Sequence, residues 1–138
     1  MLIAALSLGF LTASMSAFAA KVSTHIALIS QINGPSYAND LAIKQHLEAL
    51  GYAVQILDQL QDPKQIKQVD AIILSSTVGS KNLKAGWRQL EIPLMTWESD
   101  YIDDSAMTGK RSGQDFGEVD KARYLWLVNA PHRLSANL

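Results

Sequence analysis

The sequence contains no cysteine. This excludes a disulfide framework, a thiolate zinc site, an iron–sulfur cluster and any thiol nucleophile. Charge of one sign is scarce as well, since 12 basic residues against 13 acidic ones leave a net charge of −1. There is accordingly no electrostatic case for nucleic acid or an anionic membrane as a partner. The first 20 positions carry no Asp, Glu, Lys or Arg, yet their uninterrupted apolar length falls short of the about 20 residues of a membrane span. Ser, Gly and Thr break up the second half of that stretch.

What stands there instead is an apolar centre from Leu2 to Leu11, small residues, and Ala17-Phe18-Ala19-Ala20. An apolar centre with an A-x-A ending is the pattern of a secretory signal peptide, which predicts cleavage after Ala19 or Ala20 and export to the periplasm or exterior. No Lys or Arg precedes the apolar run, so translation is expected to start further upstream. Residues 21–138 have the length and composition of one globular domain, with no membrane contact once the signal is removed. Without disulfide staples, an exported domain of this size must be held by its core.

The mature chain alternates short aliphatic runs with amphipathic segments. His25 to Ser30 reads as a first strand and Ala53 to Leu57 as a second. Ala71 to Leu74 is a continuous apolar run, the mark of a strand covered on both faces. Ile92 to Trp97 reads as a fourth strand and Tyr124 to Val128 as a fifth. A helix is expected from about Ser36 to Leu50, after the turn Asn33-Gly34-Pro35. Ile43, Leu47 and Leu50 recur on one of its faces, Asp40, Lys44 and Glu48 form charge pairs on another, and Gly51 closes it as a left-handed cap. Asp62-Pro63 opens a short helix, and a further helix is expected from about Lys81 to Gln89. Ser99 to Gly117 reads as a long polar loop with one turn of helix near Asp103.

Strands separated by helical crossovers imply a three-layer α/β domain of flavodoxin-like type, with a parallel sheet in the order 2-1-3-4-5. The chain ends ten residues after Val128 (138 − 128 = 10), too few for the helix that would cover the last strand. The domain is therefore expected to be incomplete at its C-terminal end, and an uncovered apolar face would favour self-association.

In such sheets ligands sit at the carboxyl ends of the strands. Ser75, Ser76 and Thr77 follow the third strand and offer either a hydroxyl and amide cradle for an anion or ordinary capping and turn chemistry. Trp97 ends the fourth strand and suits either stacking on a planar ligand or sugar, or core packing. Glu98, a carboxylate ending an apolar strand, must reach solvent in a cleft or find a donor. His132 follows Pro131 and suits acid–base work or a structural role. Glu98 and His132 are the catalytic candidates, and both belong with Ser75, Ser76, Thr77 and Trp97 among the ligand-binding candidates. Asp100, Asp103 and Asp104 lack the glycine and terminal Glu of a calcium loop, so no metal is expected. Gly109-Lys110-Arg111 does not complete a Walker A motif and Gly-x-Gly-x-x-Gly is missing after the first strand, so no cofactor is expected.

The segments Ile26-Ala27-Leu28-Ile29, Leu47-Glu48-Ala49-Leu50-Gly51-Tyr52-Ala53-Val54, Ile73-Leu74-Ser75-Ser76-Thr77-Val78, Pro93-Leu94-Met95-Thr96-Trp97-Glu98 and Asn129-Ala130-Pro131-His132-Arg133-Leu134 carry a resemblance. Together they look like the uncharacterised class I glutamine amidotransferase-like domains of exported bacterial proteins, relatives of the trehalose-utilisation (ThuA-like) group. In that family the chain runs on past the Pro-His-x-Leu segment through further strands and a terminal helix. Its true amidotransferases place a nucleophilic Cys in a glycine-flanked elbow five residues after a strand-opening proline. Counted from Pro93 that position is Glu98, flanked by Thr96 and Asp100 where the glycines would stand. Cys-dependent amide hydrolysis is thereby excluded. The family's catalytic His and Glu lie further downstream, so the resemblance does not hand that role to His132. What it implies is a non-catalytic or vestigial module binding a small polar ligand, carbohydrate among the candidates. The alternative is a hydrolase with Glu98 as general base and His132 assisting.

Overall fold

The computed structural model describes residues 23–124. The expected signal segment, His132 and all of the expected fifth strand except Tyr124 lie outside the described residues. Four strands, β1 (His25–Ser30), β2 (Ala53–Asp58), β3 (Ala71–Leu74) and β4 (Leu94–Thr96), pair in parallel in the order β2-β1-β3-β4. This is an α/β fold of flavodoxin-like type. β1 and β3 are the inner strands, and their aliphatic runs are buried nearly throughout because each must face apolar cover on both sides.

Alternation along the strands sorts the core into two halves. Ile26 and Leu28 of β1, Val54 of β2 and Ile73 of β3 face one side, where Ile43 and Leu47 of the helix α1 (Tyr37–Ala49) cover them. Ala27, Ile29, Ile72 and Leu74 face the other, beneath Ile66, Val78, Trp87 and Tyr101. Each fully buried Leu or Ile contributes about 1.5–3 kcal/mol. Among the described residues that second cover is not helical: single 3-10 turns at Pro63–Gln65, Ser80–Asn82, Trp87–Gln89 and Ser99–Tyr101 take the place of a helical layer.

Most turn chemistry falls where the sequence places it. Gly51 has φ 95° and donates its N–H to the Glu48 carbonyl at 2.9 Å, closing α1 in the left-handed region that favours glycine. Asp62 caps the Pro63–Gln65 turn by accepting from the Lys64 N–H at 3.0 Å.

Four expectations need correction. Lys81 to Gln89 is not a helix, because Gly86 between its two 3-10 turns adopts φ 118°, a value no right-handed helix contains. The reversal at Gly86 lets Trp87 join the buried cluster of Ile29, Ile72 and Leu74. β4 is shorter than Ile92–Trp97: Pro93 has no N–H to donate, although its carbonyl accepts from Ile72 N–H at 2.9 Å. Leu50 follows the last helical residue and is exposed rather than part of the apolar face. Lastly, Asp40 does not belong to a solvated charge ladder. Lys44 pairs with Glu48, whereas Asp40 is fully buried.

Candidate functional site

The strands deliver their following loops to one edge of the sheet. Ser75, two residues beyond Ile73, continues that residue's alternation and so faces α1. Directly opposite lies the first turn of the helix, and there the Ser75 hydroxyl donates to Asp40 Oδ1 at 2.6 Å. Thr77 Oγ1 donates to the second carboxylate oxygen, Oδ2, also at 2.6 Å. Hydroxyl–carboxylate bonds this short are charge-assisted and among the stronger hydrogen bonds of a protein. Thr77 Oγ1 also accepts from the Gln31 N–H at 3.3 Å, and Ser75 Oγ from the Thr77 N–H at 3.2 Å.

The last residue of β2, Asp58, and the one that follows it, Gln59, complete the cross-ties. Asp58 accepts from the N–H groups of Ile32 at 3.4 Å and Leu60 at 2.9 Å, and the buried Gln59 accepts from the Gly79 N–H at 2.8 Å. The loops after β1, β2 and β3 are thus held to one another by side chains. Ser30 lies in this neighbourhood too, since the Ser75 N–H bonds to the Ile29 carbonyl, and its buried hydroxyl has no partner among the described residues.

These bonds decide what the Ser75-Ser76-Thr77 segment offers a ligand. Ser75 and Thr77 are brought together, but on Asp40, and their protons are committed there. Ser76, between them, turns outward and is exposed.

The end of β4 is adjacent. Leu74 is in register with Thr96, and the Trp97 N–H bonds to the Leu74 carbonyl at 3.3 Å, carrying the ladder one residue further. Trp97 and Glu98 therefore emerge beside the loop that holds Ser75 and Ser76. Trp97 leaves 38% of its surface to solvent. Glu98 donates its N–H to Thr96 Oγ1 at 3.0 Å and accepts from the Asp100 N–H at 3.2 Å, capping the Ser99–Tyr101 turn. Partial burial pushes the Glu98 carboxyl above its ordinary value. The Asp100 N–H bond opposes that shift, and repulsion from Asp100 and Glu118 adds to it. Comparison with known protein families, curated proteins and solved structures finds no match to this chain.

A hollow of about 250 Å³ follows in the chain, with Asp100, Glu118, Ser99 and Phe116 but not Glu98 in its walls, and the Ser99 hydroxyl donates to Glu118 Oε1 at 2.9 Å. No cluster of three or more metal-ligating side chains occurs among the described residues. Nor is any helix among them long and apolar enough to cross a membrane. The residue at this edge that sequence reasoning misplaces is Asp40. Its only trace in the sequence is an acid in the first turn of the helix after β1 and two hydroxyl residues spaced i, i+2 after the strand that pairs with β1, and nothing local says that they meet.

Proposed function

We propose that the C-terminal edge of the sheet is a non-catalytic binding surface for a small polar ligand, with carbohydrate as the favoured class. Trp97 supplies an aromatic face, Glu98 an acceptor and Ser76 a free hydroxyl. The carrying observation is the pairing of a partly exposed indole at Trp97 with the half-buried carboxyl of Glu98 at the end of β4. An apolar plate beside a polar acceptor matches a sugar, whose C–H face stacks while its hydroxyls donate. The burial of Ser75 and Asp40 supports a binding role over a catalytic one, because the Ser75 hydroxyl is turned into the protein and is out of reach of a substrate. In this reading the chain is an exported, vestigial member of the amidotransferase-like group, with Glu98 where a thiol would act.

Titrating the protein with glucose, galactose and maltose while following tryptophan emission tests the proposal. A saturable change that disappears in Trp97→Ala and weakens in Glu98→Gln is expected. No saturable change with any of the three sugars, or one untouched by both variants, would sink it. The raised affinity of Glu98 for its proton favours a second reading, a hydrolase with Glu98 as general base. Turnover of nitrophenyl esters or glycosides that vanishes in Glu98→Gln would establish that reading in place of the first.

A further inference from the structure

β2 closes one side of the sheet: it pairs with β1 and with no other strand among the described residues. The Ala53 N–H bonds to the Thr24 carbonyl at 2.9 Å, and the ladder runs on to the Gln59 N–H, which bonds to the Ser30 carbonyl at 2.8 Å. Backbone groups alternate along a strand, so Ala53, Gln55 and Leu57 direct theirs to β1 while Val54, Ile56 and Asp58 direct theirs outward. Two of the outward carbonyls are engaged within the chain, that of Val54 by Lys44 Nζ at 2.6 Å and that of Asp58 by the Gln61 N–H at 2.9 Å. The outward N–H groups of Val54, Ile56 and Asp58 and the Ile56 carbonyl have no partner among the described residues. An edge of six residues with open donors is a template for a further strand.

We propose that this edge pairs with the same edge of a second copy of the chain, antiparallel and about a two-fold axis at Ile56. The outward groups are self-complementary in that register. Ile56 exchanges both backbone bonds with Ile56 of the second copy, and Val54 does the same with Asp58 on either side of the axis. The two carbonyls already engaged keep a second lone pair for this. Side chains select the same occupant. Tyr52 lies four positions before the axis and Leu60 four after it, so the pairing brings each towards the other in the second copy; both are large apolar residues left to water in the single chain, at 40% and 58% exposure. Charge agrees as well. Lys44 Nζ sits on the Val54 carbonyl, where the second copy brings Asp58, and the ammonium that already pairs with Glu48 then bridges two carboxylates. Asp58 is the only charged residue of β2 and falls opposite Val54, so no like charges meet along the seam. The edge shares no residue with Ser76, Trp97 or Glu98, and the two readings stand or fall separately.

Sedimentation equilibrium of the full chain from about 1 μM to about 1 mM tests the pairing. A monomer–dimer equilibrium is expected, weakened about tenfold in Leu60→Glu, whose position is exposed and outside both apolar clusters. Urea midpoints of that variant and the native chain at the lowest concentration should agree, which separates lost pairing from lost folding. Because the chain has no cysteine, Ile56→Cys reads the register. The axis sets that position against itself with Cα atoms about 5.5 Å apart, within disulfide reach, so oxidation should link two copies. Leu41→Cys, at an exposed position of α1, should not link under the same conditions. A monomer throughout the range would overturn the proposal and leave Lys44 as the guard of a closed edge. Association that Leu60→Glu leaves untouched, or equal linking of the two cysteine variants, would also overturn it and would place the contact on another surface.

Discussion

Asp40 Oδ1 and Ser75 Oγ are 35 residues apart in the chain and 2.6 Å apart in space, both of them buried. A carboxylate removed from water must be compensated, and here two hydroxyls at the end of the neighbouring β3 do so.

Ser75→Ala removes one of those donors and should cost about 1.5–3 kcal/mol, the range for a hydrogen bond to a charged group. Asp40→Ala should cost more, because it strands both Ser75 and Thr77. Once Asp40 is gone, Ser75→Ala relieves an unpaired hydroxyl proton and gives up only the bond that Ser75 Oγ accepts from the Thr77 N–H, so the double variant should lose less than the sum of the single losses. Urea denaturation of the four proteins measures this, and strictly additive losses would refute the coupling.

Trp87 is buried to 1% exposure, yet its Nε1–H has no partner among the described residues. Trp87→Phe keeps most of the ring's packing and discards the unpaired donor, so its cost should stay below about 1.5 kcal/mol. Trp87→Ala empties the site and should cost about 3–5 kcal/mol. Denaturation midpoints of the two variants check the contrast.

Glu98 holds its proton to a higher pH in the folded chain than in the unfolded one, where the ordinary value is 4.5. The folded state therefore binds more protons between the two values, and stability falls as pH rises through that window. Glu98→Gln keeps an acceptor for the Asp100 N–H and has nothing to titrate. Its stability relative to the native chain should improve as pH rises above 4.5 and level off past the folded value. Thermal midpoints of both proteins across acidic pH give the curve, and a constant difference would contradict it.

Gly86→Ala should destabilise the protein by about 1–3 kcal/mol. At φ 118° a side chain is strained whatever the space, and the new Cβ would sit 3.3 Å from Pro63 Cγ, tighter than ordinary contact. Equal denaturation midpoints for variant and native chain would show that the turn can rearrange without loss.

The inner strands could be read from sequence because His25–Ser30 and Ala71–Leu74 are short aliphatic runs, and full burial on both faces asks for nothing more specific. Gly51 and Asp62 were equally legible, since caps depend on residues adjacent in the chain. The Lys81–Gln89 segment was not. Its composition favours a helix, and only the tertiary demand to bury Trp87 selects the break at Gly86. Asp40 was illegible for a similar reason. Its spacing to Lys44 and Glu48 fits a surface ladder, and the partners that bury it come from another strand. At the β4 end, Trp97 and Glu98 could be located from topology, whereas the inward turn of Ser75 and Thr77 depended on where α1 begins.

The same clasp bears on the order in which the chain can assemble. The hydroxyls that bond Asp40 follow it in the chain by 35 and 37 residues, beyond the end of α1, and until they arrive the carboxylate keeps its water. The helix thus gains its full anchorage only as β3 enters the sheet beside β1, so a local element waits on a distant one and secondary structure formation merges with sheet closure into a single cooperative step.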